Sequence, residues 1–393
     1  MIYLLLHLSF LATILFSIKL FYFFWFFSSI VFVVNYKKCF QILFEEKYLF
    51  LFIILGHYYF LLSSINSFGN IFSFDTDLSY LLRQSYFIPF LGISIPTLIV
   101  SSNVGLMKFI NAKNIQDYRF VFFVLILIIY YLNILGQSYQ YLLLLIILLS
   151  INNRLLSIIL FLPLYVYPVV SNQLTGTEYG FQHQLMTFLT AMFFLFNFYI
   201  KRWMFISLSI ISFLVLIVLT NIIDESIRYT QFSLFFEGNS VWRIGLWMQN
   251  IRFAIENTFG LGVGLGTSYF LSDIIPTGEY YSIHQGPDYM GNPYHEDYVT
   301  GQHNSIVNVF YRFGFIGLLL FMGFISDIYK KIQSSELPSQ YYLLLSIALI
   351  TIAVNVGLES PKYMLVFAFF ISLILSRFYM EKYSRLSNRE LYL

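Results

Sequence analysis

The chain has 393 residues, of which 59% are hydrophobic, 21% aromatic and only 11% charged. A soluble domain carries about 25% charged residues, so the composition excludes an ordinary soluble enzyme and predicts an all-α polytopic membrane protein. The net charge of +2 is uninformative about nucleic acid, but the basic residues are scattered in pairs rather than gathered in a patch, and no nucleic-acid partner is expected. The single cysteine, Cys39, excludes an internal disulfide and a cysteine-based metal site.

A membrane span needs roughly 20 apolar residues, which leaves room for about a dozen spans. In chain order the apolar runs predict spans near 2–18, 20–35, 48–65, 85–106, 120–136, 138–151, 155–171, 183–200, 204–222, 305–328, 341–357 and 363–377. The first run lacks a basic flank and a small-residue cleavage site, so it is expected to stay as a span rather than be removed. Lys37, Lys38, Lys47, Lys108, Lys113, Arg119, Arg154, Lys201, Arg202, Lys330 and Lys331 fall on one side of the alternation, with the basic tail from Arg377. By the positive-inside rule that side is cytoplasmic. Both termini are then cytoplasmic, and the segments 66–84, 172–182, 224–303 and 358–362 face outward. The expected organisation is nine spans in 1–223, one large outer loop in 224–303, and three further spans with a basic tail in 304–393.

The outer loop is where chemistry is expected, because a long polar segment between spans is functional more often than connective. It holds nine acidic residues against Arg228, Arg243 and Arg252, so its arginines act by placement rather than as a general field. Ile244, Met248, Ile251 and Ile255 recur at helical spacing and predict an amphipathic helix at the outer interface. Arg243 and Trp247 lie one turn apart on another face of it. The guanidinium there suits bidentate pairing with a phosphate; anchoring to lipid phosphates is the alternative.

Gly260, Gly262, Gly264 and Gly266 alternate. No strand and helix flank them as a dinucleotide fingerprint requires. Either a backbone anion nest or a turn beside the bilayer fits. His303-Asn304 opens the tenth span, and Asn304, Asn308 and Arg312 follow at intervals of four. A charge well inside a span costs at least ~2.5 kcal/mol near its centre, so this stripe predicts a polar cleft, with snorkelling to the outer surface as the alternative. His284, His295, Glu296, Asp297 and His303 match no compact zinc spacing, and no metal or other cofactor is expected.

In order, these motifs are Arg243 four residues before Trp247, then Phe259-Gly260-Leu261-Gly262-Val263-Gly264, then His303-Asn304, then Tyr311-Arg312-Phe313-Gly314-Phe315-Ile316-Gly317. This arrangement resembles the O-antigen ligase/polymerase superfamily of bacterial envelope glycosyltransferases, over about 75 residues and with the span count in agreement. Gly180-Phe181-Gln182-His183-Gln184 resembles an upstream element of that family but lacks its Asn.

The resemblance implies a GT-C-like arrangement of many helices in the bacterial inner membrane. It also implies an undecaprenyl-diphosphate-linked donor and a metal-independent, inverting transfer at the periplasmic face. The chemistry asks for cations on the departing diphosphate, for which Arg243 and Arg312 are the candidates. It also asks for a base on the attacking hydroxyl, for which His303 is the candidate, with Glu178, Asp288, Glu296 and Asp297 as alternatives. Trp247, Gly262, Gly264, Gly266, Asn304, Asn308 and Glu178 are candidate substrate contacts.

Within the superfamily the expectation is a repeat-unit polymerase (Wzy type) whose donor and acceptor are both lipid-linked, with membrane lipids and a chain-length regulator as partners. A ligase to lipid A core and a protein O-oligosaccharyltransferase are the alternatives. A lipid-linked-sugar flippase is the reading from another class, and the missing internal repeats speak against it.

Overall fold

The computed structural model describes residues 1–15, 20–69, 78–102, 104, 238–266, 304–334 and 361–390, with isolated positions between 341 and 358. The spans expected between 120 and 222, most of the outer loop, Glu178 and His303 lie outside the described residues. Among those residues the chain is helical and holds no strand: α1 (Ile2–Leu15), α2 (Phe21–Val34), α3 (Tyr36–Glu45), α4 (Lys47–Gly69), α5 (Leu78–Ser85), α6 (Phe87–Val100), α7 (Gly238–Thr258), α8 (Ser305–Ser334) and α9 (Pro361–Glu390). Among the described residues three stretches are long and apolar enough to cross a membrane: Lys47–Ile65 with 19 residues, Ser305–Ser334 with 30 and Tyr363–Met380 with 18. This is a membrane protein.

The helices bury different shares of their surface. On α4 the exposed large apolar residues are Leu51, Ile54, Tyr58, Leu61 and Ile65, the 3–4 spacing of one helical stripe, as a lipid-facing side requires. On α9 every residue from Met364 to Ser376 is buried, as expected of a helix that is apolar all round. Two helices were not anticipated. The segment after α2 reads as a connection, but Cys39, Ile42 and Leu43 form one buried face of α3. Likewise α5 occupies part of the stretch read as an outer loop.

The chain divides into two compact units. One contains Met1–Lys47, Phe90–Ile200 and Ile325–Leu393. Here Phe10 stacks on Phe369 at 4.4 Å and Phe21 on Phe90 at 5.0 Å. The hydroxyls of Ser28 and Thr97 share a buried hydrogen bond of 2.7 Å. At the joint after α3, the buried Glu46 carboxylate accepts from Lys331 Nζ and from Tyr379 Oη, the latter at 2.6 Å. Lys331 also reaches Asp327 at 2.8 Å, and Lys382 pairs with Glu45 at 2.7 Å. Burial pushes the Glu46 carboxyl above its ordinary range, while the Lys331 ammonium and the Tyr379 hydroxyl pull it back down. Burial likewise raises the Cys39 thiol to about 12. The other unit contains Tyr48–Pro89 and Lys201–Phe324, and it carries the candidate site.

Candidate functional site

The site is built around a break in a membrane helix. Asn304 starts α8: its Oδ1 accepts from the amides of Ile306 at 3.0 Å and Val307 at 3.2 Å. This is the helix cap that an Asn before an apolar run signals. At Gly314 the backbone turns to φ 63°, ψ −161°, which ends the helical ladder. Phe315 can then no longer donate to Tyr311, and the carbonyls of Tyr311 and Arg312 lose their helical donors. Broken backbone at membrane depth persists only where protein or a polar cavity satisfies it.

The glycine segment after α7 supplies what the break removes. Val263 N–H donates to the Tyr311 carbonyl at 2.8 Å and Gly264 N–H to the Arg312 carbonyl at 3.0 Å. The Phe315 amide in turn donates to the Gly260 carbonyl at 2.9 Å. Two backbones this close leave no room for side chains. A Cβ on Gly262, which sits at φ 94°, would stand 2.5 Å from Gly314 N and 2.6 Å from Arg312 O. A Cβ on Gly314 would collide with the Gly260 carbonyl. Gly260 and Gly262 therefore lie against the break, whereas a Cβ on Gly264 would stand 2.9 Å from Ser63 Oγ.

Every amide of this segment donates within the chain. Gly260 donates to Ala254 O at 3.2 Å and Leu261 to Thr258 O at 3.0 Å. Gly262 donates to Thr258 Oγ1 at 3.0 Å, Leu265 to Ser63 Oγ at 3.0 Å and Gly266 to Gln84 Oε1 at 2.8 Å. The anion-nest reading of the glycines asks for amides that point at a ligand, and these amides are committed elsewhere. What the segment offers instead is a carbonyl: Gly264 O accepts from Arg312 Nη1 at 3.2 Å.

Among the described residues Arg312 is the largest side chain that is wholly buried, so it does not snorkel to the surface. Its guanidinium lies over the ring of Tyr311, 5.0 Å from the centroid. The next residue, Phe313, is held edge-on by Phe52, Tyr59 and Phe87 at 5.7, 5.5 and 6.1 Å. Asn308 is also buried. The stripe Asn304, Asn308, Arg312 thus runs inward from a cap to a buried cation.

The structure treats the other site candidates differently. Trp247 packs, partly buried, on the cluster of Ile251, Ala254, Val307, Phe310 and Tyr311. The buried face of α7 includes Met248, Ile251 and Ala254, and Ile251 and the partly buried Ile255 of the stripe expected at a membrane interface pack on the cluster with Val307, Phe310 and Tyr311 at the start of α8. Arg243 lies on α7, four residues before Trp247. The anchoring side chains Tyr59, Ser63 and Gln84 were not anticipated. A hydroxyl or amide near a span end is common, and nothing local in the sequence ties it to a segment some 200 residues later.

Residues 179–322 match the Wzy_C family model, described as O-antigen ligase. This agrees with the O-antigen ligase/polymerase superfamily that the motifs resemble, whose members are glycosyltransferase-like enzymes of polysaccharide assembly. The match takes in Arg243, the glycine segment, His303 and the helix break at Gly314. No curated protein and no solved structure matches the chain significantly.

Proposed function

We propose that the chain is a polymerase of undecaprenyl-diphosphate-linked repeat units for a bacterial surface polysaccharide, working at the periplasmic face of the inner membrane with a GT-C-like arrangement. One observation carries the reading: Arg312 is wholly buried at a break in a membrane helix, inside the region that matches the family. An ionisable residue at membrane depth marks a functional site by default.

In the proposed reaction a hydroxyl of the acceptor's terminal sugar attacks the anomeric carbon of the donor glycan. The new C–O bond forms as the bond to undecaprenyl diphosphate breaks. The diphosphate leaves with the electron pair and gains a negative charge, while the hydroxyl proton passes to His303. Arg312 and Arg243 stabilise the charge that grows on the departing oxygen, and a preorganised cation acts there without reorganising. Trp247 and Asn308 border this region, and Glu178 is the alternative base. Both lipid tails stay in the bilayer, and no soluble cofactor takes part.

A ligase that moves the finished glycan to lipid A core is the second reading, favoured by the description of the matching family. A deletion strain separates the two on a surface-glycan gel. Loss of the ladder with one repeat still on the core supports the polymerase, for an O-antigen. Bare core with polymer retained on the lipid carrier supports the ligase, and an unchanged profile rejects both. Complementation with Arg312→Lys should fail as Arg312→Ala does, because ammonium lacks the fork that grips two phosphate oxygens. A normal ladder with either variant, at wild-type protein levels, removes Arg312 from the site.

A further inference from the structure

We infer that Ser63 and Gln84, with Tyr59 beside them, are positioning residues for Arg312, acting through the glycine segment; the inference rests on the reading of Arg312 as the diphosphate-binding cation. The segment has two edges. Along one, Val263 and Gly264 donate to the broken helix. At the other, Leu265 donates to Ser63 Oγ and Gly266 to Gln84 Oε1, while the Tyr59 hydroxyl donates to the Leu261 carbonyl. Gly264 O, the acceptor for Arg312 Nη1, lies between these two sets of bonds in the chain. Ser63 and Tyr59 belong to α4 and Gln84 to α5, so the acceptor that orients the guanidinium is fixed by helices outside the family match at 179–322.

The chemistry of the anchors fits this role. Ser63 is buried, and a buried hydroxyl oxygen that accepts an amide is satisfied only while the segment stays in register. Deleting that oxygen strands the Leu265 amide and frees the segment to shift. A shift by a fraction of a bond length moves Gly264 O, and Arg312 with it. Charge stabilisation of a leaving group depends on donors being fixed before the reaction. Loss of register therefore lowers the rate of the bound complex more than it weakens donor binding.

The test uses the full chain in lipid nanodiscs, with undecaprenyl-diphosphate-linked repeat unit isolated from the deletion strain as donor and acceptor. Two quantities are read: single-unit transfer, and amide exchange of the 260–266 segment by mass spectrometry. Ser63→Ala and Gln84→Met should each lower kcat by about tenfold or more while the donor KM stays within about twofold. Both should raise exchange in the segment. Gln84→Glu keeps an acceptor oxygen and should restore both quantities. A simple folding defect would move the amount of active protein, not this split or its rescue. Unchanged kcat in both variants, or unchanged exchange, overturns the inference, and so does faster exchange with kcat unmoved. A wild-type chain that joins no units overturns the functional reading itself, and the inference falls with it.

Discussion

Arg312 and Lys331 are both cations inside the protein, and they are held in different ways. Lys331 meets two carboxylates, Glu46 and Asp327, while the Tyr379 hydroxyl adds to Glu46. Opposite charges meet there, and the cluster joins α3, α8 and α9 within one unit. Arg312 meets the carbonyl of Gly264 and the face of Tyr311. A carbonyl and a ring face carry partial charges, and these two contacts orient the guanidinium. An ion pair that neutralises itself acts as a latch. Arg312 is instead positioned by a backbone frame.

The frame is the most fragile part of this contrast. Gly314→Ala should have the largest effect. A non-glycine residue at φ 63° costs on the order of 1–3 kcal/mol. The new Cβ would also meet the Gly260 carbonyl, which cannot retreat without losing the Phe315 amide. The expected outcome is loss of polymer together with a lowered thermal transition of the purified protein. A wild-type ladder and transition would mean that the break at Gly314 is not needed, and the distinction between frame and latch would collapse.

The latch is tested from its other side. Lys331→Met leaves Glu46 buried opposite an apolar chain, and breaking a buried pair costs about 3–5 kcal/mol. Stability should drop while each surviving molecule keeps its turnover. Adding Glu46→Gln to Lys331→Met should recover much of the stability, because replacing both ions is far cheaper than removing one. Arg312→Met should show the reverse pattern, with transfer lost at a smaller cost in unfolding midpoint. If the two variants behave alike in thermal unfolding and in transfer, the comparison between them is wrong.

The sequence makes the apolar helices and the buried arginine legible, because hydropathy and a lone charge inside an apolar run are local signals. It also places Arg243, the glycines, His303 and Arg312 in one ordered set. The break at Gly314 is not legible in the same way: glycine is common in spans, and whether it bends depends on what lies opposite. Its partner is the alternating glycine segment, and only the pairing of Val263 and Gly264 with Tyr311 and Arg312 explains why both stretches are glycine-rich. The anchors Tyr59, Ser63 and Gln84 depend on contacts across roughly 200 residues, and the partner of Glu46 lies even further along the chain. The cap at Asn304 was readable from Asn before an apolar run, yet it is easily taken for a substrate contact because it adjoins His303 and leads a polar stripe.

That ambiguity gives the smallest and sharpest of the predictions. Removing the cap by Asn304→Ala should cost about 1 kcal/mol, because two amides at the start of α8 lose their acceptor. Ser caps as well as Asn, so Asn304→Ser should return the unfolding midpoint to that of wild type. Transfer measured on the same two variants separates the roles. If the activity of Asn304→Ser returns with its stability, the residue serves α8 and reaches the chemistry only by holding the start of the helix that carries Arg312. If stability returns and activity does not, the carboxamide touches the substrate, because a hydroxyl replaces it as a cap but not as a longer, two-ended hydrogen-bonding group.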